Sequence, residues 1–282
     1  MKAMRRLLKD WMPPIGLRFA QKMLGAKNVF EGDYLTWASA AQRCSGYGSE
    51  HILAKVLDAT LKVKRGEAAF ERDSVLFAEA EYAWPVLSAL MWAAARNRGN
   101  MSVLDFGGAL GSTYFQNYKF LQALPNLRWS VVEQAHYVDA GQAHIQDEQL
   151  RFYRSIEECL VENVPTVILL SSVLQYLEFP FDVLNTLSTV GAHTMVIDRT
   201  PFSDSCEEKI LVQKVPPSIY RASYPLWVFS RSEFVEKIGA DWQMVSSSLS
   251  PEGHIRTASG FDFSFQGMLF EAKKNNIFSA CT

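Results

Sequence analysis

The sequence predicts an α/β fold, a doubly wound, mostly parallel sheet that ends in an antiparallel pair, and two observations carry that expectation. From residue 101 onward, short apolar runs alternate with amphipathic stretches. Strands are expected over residues 101–106, 129–133, 150–153, 166–171 and 193–198, and helices over 113–124, 135–145 and 181–190. Such alternation implies parallel strands with helices on both faces. The rhythm then breaks. A helix is expected over 232–238, followed by strands over 242–246 and 263–272, with only loop-like residues between them, among them Pro251, Gly253 and Gly260. Two strands with no helix between them are more naturally antiparallel.

The individual elements carry local signals. Residues 101–106 are an apolar run stopped by glycines, as a buried strand should be. The helix over 113–124 is ended by Pro125-Asn126. The first hundred residues read as helical. A short Ala-rich helix is expected over 36–44, and Ile52, Leu53, Val56, Leu57 and Leu61 fall at helical spacing over 51–64. A further helix starts at Pro85, a good first-turn residue, and is ended by Arg98-Gly99-Asn100. The expected organisation is therefore an N-terminal helical region over 1–99 and an α/β domain over 100–282.

Composition bounds the function. At 282 residues and 48% hydrophobic, the chain can bury a full core without disulfide or metal staples. A formal net charge of −2 argues against a dedicated nucleic-acid binder, and none is expected as a partner. Cys44, Cys159, Cys206 and Cys281 are scattered, form no C-x-x-C pair and read as free thiols of a reducing cytoplasm. The five histidines are scattered too, and no metal site is expected. No apolar run reaches membrane-span length, and no secretory signal is expected. Residues 1–30 form a basic arm with Lys2, Arg5, Arg6, Lys9, Arg18, Lys22 and Lys27 against Asp10, interleaved with Leu7, Trp11, Ile15, Phe19 and Met23. Such an arm can meet a membrane surface or a protein partner, although Pro13-Pro14 interrupts it. The alternatives are a solvated arm and a helix packed on the body.

The loop after the first of these strands carries the chemistry. In open α/β sheets, ligands bind beyond the carboxyl ends of the strands. The strand ends at Asp105-Phe106, and Gly107-Gly108-Ala109-Leu110-Gly111-Ser112 follows. The dinucleotide frame needs glycines at first, third and sixth positions. Counting from Gly107 gives Ala109 and Ser112 there, and counting from Gly108 gives Leu110 and Thr113. The Gly-Lys-Ser/Thr of a phosphate loop is missing as well. What remains is an acid two residues before three closely spaced glycines, Gly107, Gly108 and Gly111. S-adenosylmethionine, with its ammonium, sulfonium and ribose hydroxyls, suits that arrangement: Asp105 can anchor its amino-acid end and the glycines leave room for its chain. Glu133 ends the next strand and can accept hydrogen bonds from both ribose hydroxyls, although it would serve a nicotinamide dinucleotide equally. Together with the C-terminal hairpin, these residues point to a methyltransferase.

Longer motifs narrow the reading. They are Gly32-Asp33-Tyr34 with Trp37, Ser45-Gly46-Tyr47, the Phe70-Glu71-Arg72-Asp73-Ser74 run, residues 103–112, residues 129–134, the Ser171–Leu177 run SSVLQYL, Asp198-Arg199-Thr200-Pro201-Phe202, Ser223-Tyr224-Pro225 and the run QGMLF at 266–270. On these the chain resembles the methyltransferases encoded in bacterial surface-polysaccharide gene clusters, over about residue 30 to the end. The resemblance implies a seven-stranded, Rossmann-like methyltransferase sheet, S-adenosylmethionine as donor with S-adenosylhomocysteine as product, and a small-molecule or glycan acceptor, with O-methylation of a sugar or glycan precursor as the reaction. It implies the reaction type better than the acceptor.

Further site residues follow. Gln134 adjoins Glu133. Tyr153 follows the third strand, where the superfamily holds adenine, and an aromatic face there can stack on the base or simply pack. Ser171 and Ser172 close the fourth strand and either line the methyl-transfer position or cap the next helix. Gln175 continues that wall. An oxygen acceptor benefits from a base, for which Asp198, Tyr224 and His254 are candidates. Arg199 can hold an anionic acceptor group or pair locally with Asp198. Tyr34, Trp37, Tyr47 and Asp73 either close the acceptor pocket from a helical cap or glue the N-terminal region to the sheet. Two other classes stay open at this point: a nicotinamide-dependent sugar oxidoreductase or epimerase, and a catalytically silent methyltransferase-like scaffold.

Overall fold

The computed structural model describes residues 29–45, 50–72, 74–215 and 222–273. The basic arm up to residue 28, Tyr47, Asp73 and Cys281 lie outside the described residues. The chain opens with β1 (Phe30–Tyr34), α1 (Trp37–Ala41), α2 (Glu50–Lys64), the short strands β2 (Phe70–Arg72) and β3 (Val75–Phe77), and α3 (Trp84–Arg96). The alternating part follows: β4 (Asn100–Phe106), α4 (Ser112–Leu121), β5 (Asn126–Val132), α5 (Ala135–His144), β6 (Leu150–Tyr153), α6 (Ile156–Glu162), β7 (Val167–Ser171), α7 (Pro180–Ser188) and β8 (Thr194–Ser203). The last elements are β9 (Lys209–Lys214), β10 (Ser223–Ser230), α8 (Arg231–Ile238), β11 (Trp242–Arg256) and β12 (Asp262–Ala272).

Seven strands form the central sheet in the order β6-β5-β4-β7-β8-β12-β11. The first five run parallel, and β12 is antiparallel to both β8 and β11. This is the mostly parallel, seven-stranded Rossmann-like sheet expected from the sequence, with the C-terminal antiparallel strand in place. Strands buried on both faces read as continuous apolar runs. On β7, Val167, Ile168, Leu169 and Leu170 are all fully buried. Their alternation splits the core in two: Val103, Val167 and Leu169 join Leu90, Tyr114 and Trp129 on one face, while Leu104, Ile168 and Leu170 join Phe229 and Phe234 on the other. The helix α3 buries one stripe, Val86, Leu87, Leu90 and Ala94, with its proline in the first turn.

The structure corrects the reading of the first hundred residues as helical. Three strands lie there, and β1 pairs antiparallel with β9, Phe30 opposite Gln213. With β10 they form a β1-β9-β10 layer that joins the main sheet where β10 runs parallel to the far end of β8. Phe30, Leu211, Leu226 and Val228 of this layer pack on Phe263 and Phe265 of β12. The strand β8 runs to Ser203, past the expected end at 198, because β12 and β10 pair with its distal half. The residues around Pro251 and Gly253, expected as loop, lie within β11. The register shifts there, between Leu249 and His254, and β11 pairs only with β12, an edge position that tolerates proline.

Among the described residues no helix is long and apolar enough to cross a membrane. Cys44, Cys159 and Cys206 are free thiols. The helix α5 lies so close to β6 that a Cβ on Gly141 would come within 2.6 Å of the Phe152 ring. Gly141→Ala is therefore expected to cost about 1–3 kcal/mol through overpacking, read from urea unfolding. Combining it with Phe152→Leu should cost less than the sum of the two single changes.

Candidate active site

The strand order reverses at β4, with β5 and β6 on one side and β7 and β8 on the other. The crevice at such a switch point is where open α/β sheets bind ligands. Register aligns the carboxyl ends there: Phe106 stands beside Val132, Val132 beside Tyr153, and Ser171 beside Asp198.

Asp105 lies at the carboxyl end of β4, fully buried. One carboxylate oxygen accepts a hydrogen bond from Trp129 Nε1 at 3.0 Å. The other, Oδ1, has no hydrogen-bond partner among the described residues. Burial pushes the Asp105 carboxyl up to about 7, and the Glu133 charge adds to this, while the Trp129 bond and the Arg199 charge oppose it. The glycines fit around this group. A Cβ on Gly108 would lie 2.4 Å from the Asp105 carboxylate, and one on Gly107 would lie 2.4 Å from Val173. Gly107 and Gly111 both adopt left-handed backbone, which glycine takes without the usual steric cost.

Glu133 reaches back to the same loop. Its carboxylate accepts from Ala109 N at 3.3 Å and from Gln134 N at 2.7 Å. Burial pushes its carboxyl up, and these two backbone amides and the His136 charge pull it down. A carboxylate has about four acceptor sites, so two bonds leave capacity for a ligand. The Gln134 side chain is exposed, and the residue opens α5.

Across the crevice the structure brings together Ser171, Ser172, Gln175, Asp198 and Arg199. Ser171 Oγ donates to Asp198 Oδ2 at 3.0 Å, and Arg199 donates to Ser171 Oγ at 3.3 Å. Arg199 Nε lies 3.5 Å from the same Asp198 oxygen. The buried Gln175 amide donates to Ser172 Oγ and to the Arg199 carbonyl, both at 3.1 Å, and its Oε1 has no partner among the described residues. Ala109, Ser172 and Arg199, which follow or lie within the three central strands, all have positive φ without being glycine. Such backbone strain concentrates at functional sites.

Other candidates lie elsewhere. The Tyr153 ring is buried in the core beside Leu104 and Ile156, and its hydroxyl donates to Glu162 at 2.8 Å. Burial and Glu162 push its phenol up. Its face is thus given to packing, and Ser155 caps α6. Tyr34 packs against Ile210 and Val212, and Trp37 stacks on Trp227 with ring centroids 6.1 Å apart. Both join the N-terminal segment to the β9–β10 layer. Tyr224 meets Tyr176 edge-on at 5.0 Å, at the border of the Gln175 cluster. His254 is exposed on β11 opposite Ser264, which pairs with Phe202, farther along β8 than Asp198. It lines a separate open cavity of about 350 Å³ with Asp204, Phe261 and Asp262. No group of three or more His, Cys, Asp or Glu among the described residues is placed to hold a metal ion.

Sequence reasoning missed two residues. Trp129, read as the start of a strand, supplies the donor to Asp105. Glu71, within the 70–74 motif, is buried and accepts from Ser112 Oγ and from Ser74 N at 3.1 Å. Ser112 opens α4 directly after Gly111. The rim therefore gathers the carboxylates of Asp105, Glu133, Glu71 and Asp198.

No protein-family model matches the chain, and no curated protein does. Solved structures are similar in fold. The N-terminal domain of EvdMO1, crystallised with S-adenosylhomocysteine and D-fucose, aligns over 80% of this chain and all of that one at 11% identity and a TM-score of 0.48. The Burkholderia thailandensis 1,6-didemethyltoxoflavin-N1-methyltransferase aligns over 82% of this chain and 93% of its own at 15% identity and a TM-score of 0.40. The Synechocystis magnesium protoporphyrin IX methyltransferase aligns over 79% and 99% at 11% identity and a TM-score of 0.39. These similarities are too distant to assign an activity, which rests on the site.

Asp105 makes a pH test available. The folded chain holds its proton up to about 7, whereas an unperturbed carboxyl releases it near 3.8. Its contribution to stability is therefore complete below pH 3.8 and is lost as pH rises through 7. Relative to the parent protein, Asp105→Asn should gain stability progressively from about pH 4 to pH 8, seen as a rising difference in Tm across that range.

Proposed function

We propose that this protein is a methyltransferase that uses S-adenosylmethionine and methylates an oxygen of a small molecule, a sugar or glycan precursor. The observation that carries the reading is the charge of the crevice. A glycine loop that begins beside a buried carboxylate, one oxygen of which has no hydrogen-bond partner among the described residues, invites a cationic donor. S-adenosylmethionine brings an ammonium and a sulfonium. A dinucleotide brings a pyrophosphate, which the frame of this fold would direct to the N-terminus of α4. Glu71 stands at that position, bonded to Ser112.

The residues present divide the work. Asp105 accepts from the amino-acid end of the donor, Glu133 accepts from the ribose hydroxyls, and Gly107 and Gly108 keep side chains out of the loop. When bound, the donor supplies an electrophilic methyl group on a sulfonium. Ser171, Ser172, Gln175 and Arg199 orient the acceptor, and alignment is the main requirement of an in-line transfer. Asp198, tied to Ser171 and Arg199, takes the proton of the acceptor hydroxyl. Within the described part of the N-terminal region, the β2–β3 hairpin and the β1 strand supply a cap. The resemblance of the motifs to those of the surface-polysaccharide methyltransferases supports a sugar or glycan precursor as acceptor, and the cluster of hydroxyl, amide and carboxylate groups suits one.

Titration calorimetry tests this reading. S-adenosylmethionine and S-adenosylhomocysteine should bind and NADH should not. Glu133→Gln should weaken both ligands about 10- to 100-fold, the loss expected for charge-assisted hydrogen bonds. Failure of folded protein to bind either would falsify the proposal. With a hydroxyl acceptor, Asp198→Asn should lower kcat about 10²- to 10⁴-fold while leaving donor affinity nearly unchanged.

A further inference from the structure

Gly267 lies in the middle of β12, at a place where the backbone does not demand glycine. It does not take the left-handed conformation that favours this residue. Glycine inside a strand weakens it, and it often marks a point that a ligand or another chain segment approaches closely. The neighbours show what the missing side chain leaves open. Ser248 of β11 stands directly opposite. On the other side β8 is bulged: Gln266 pairs with Thr200 and Met268 with Ile197, so that Asp198 and Arg199 together face the single Gly267. Bulges beside active sites re-aim a side chain. A Cβ on Gly267 would lie 3.1 Å from Ser248 Oγ and 3.5 Å from Asp198 Oδ1.

Asp198, Ser248 and Gly267 line a small cavity, as do Pro85, Val86 and Ala89 of α3. Its volume of about 20 Å³ leaves room for one water-sized group. Ser171 Oγ and Arg199 Nε both approach Oδ2 of Asp198, and Oδ1 is the oxygen turned toward Gly267. A carboxylate oxygen beside a serine hydroxyl repels an anion and suits a neutral hydroxyl, which can donate to the first and exchange a hydrogen bond with the second. We infer that this cavity receives a hydroxyl of the acceptor, held by Asp198 Oδ1 and Ser248 Oγ, and that Gly267 and Ser248 are specificity-determining residues that admit a hydroxyl and turn away bulkier or anionic groups. This rests on the methyltransferase reading. It places one wall of the acceptor site on the C-terminal antiparallel pair and the other on α3.

Crystals of the full chain with S-adenosylhomocysteine, soaked in ethylene glycol as the probe, provide the test. In the parent protein a glycol oxygen should lie about 3 Å from both Asp198 Oδ1 and Ser248 Oγ. In Gly267→Ala that oxygen should be lost, while S-adenosylhomocysteine affinity by calorimetry stays within about twofold of the parent. Acetate, similar in size but anionic, should not enter in either protein. Glycol missing from this space in the parent, glycol retained in the variant, or acetate in its place would each overturn the inference. If Gly267→Ala does not fold, Ser248→Val gives the same comparison from the opposite wall. Parent protein that binds no S-adenosylhomocysteine in calorimetry would instead defeat the methyltransferase reading itself.

Discussion

The site depends on one arrangement: a carboxylate buried at the carboxyl end of the central strand and hydrogen-bonded to an indole of the neighbouring strand. Asp105 is fully enclosed, and Trp129 on the neighbouring strand gives it a hydrogen bond. Burial would otherwise be more costly still. The loop that follows is constrained by this group. Gly108 cannot carry a Cβ because the carboxylate occupies its place, and Gly107 cannot because Val173 does. The glycine motif is thus required by packing around an acid and a neighbouring loop, before any ligand is considered. The second oxygen of the acid has no hydrogen-bond partner among the described residues.

The rest of the rim is rigid for reasons that can be named. Ala109, Ser172 and Arg199 hold left-handed backbone at a cost on the order of 1–3 kcal/mol each. Ser172 N donates to the Asp198 carbonyl, and Gln175 bonds both Ser172 and Arg199, so the ends of β7 and β8 are tied together. The result is a set of hydroxyl, amide and charged groups whose positions are set by packing below them, as preorganised sites require.

Above this rim the β1-β9-β10 layer explains the aromatic residues of the flanking segments. Trp37 stacks on Trp227, and Trp227 donates to the Leu177 carbonyl, just beyond the Gln175 turn. Tyr176 donates to Gln213 and meets Tyr224 edge-on. These contacts lock the layer onto the loop that carries Gln175. The aromatics therefore act first as packing, and the distal half of β8 is held between β10 and β12 as a consequence.

Part of this was legible in the sequence. The five parallel strands and their helices follow rules that operate within a few residues: apolar runs stopped by glycine, helical spacing, a first-turn proline. The places of Asp105, Gly107, Gly108, Gly111, Glu133 and Ser171 in the fold were legible for the same reason, since they lie at or just after the ends of β4, β5 and β7, and the parallel register sets those ends side by side; Asp198, expected at a strand end, lies within β8. The remaining features depend on partners far away in the chain. Phe30 finds Gln213, Glu71 finds Ser112, and β11 continues through Pro251 and Gly253 because β12 lies beside it. Tyr153 could face ligand or core on its local sequence, and Glu162 and the apolar layer beneath it decided the direction. The sequence by itself determined the strand order's local units and the acids that end them. Only the tertiary structure decided which acids are buried and which aromatics are packed, because burial and hydrogen-bond partnership are set by contacts that no local pattern encodes.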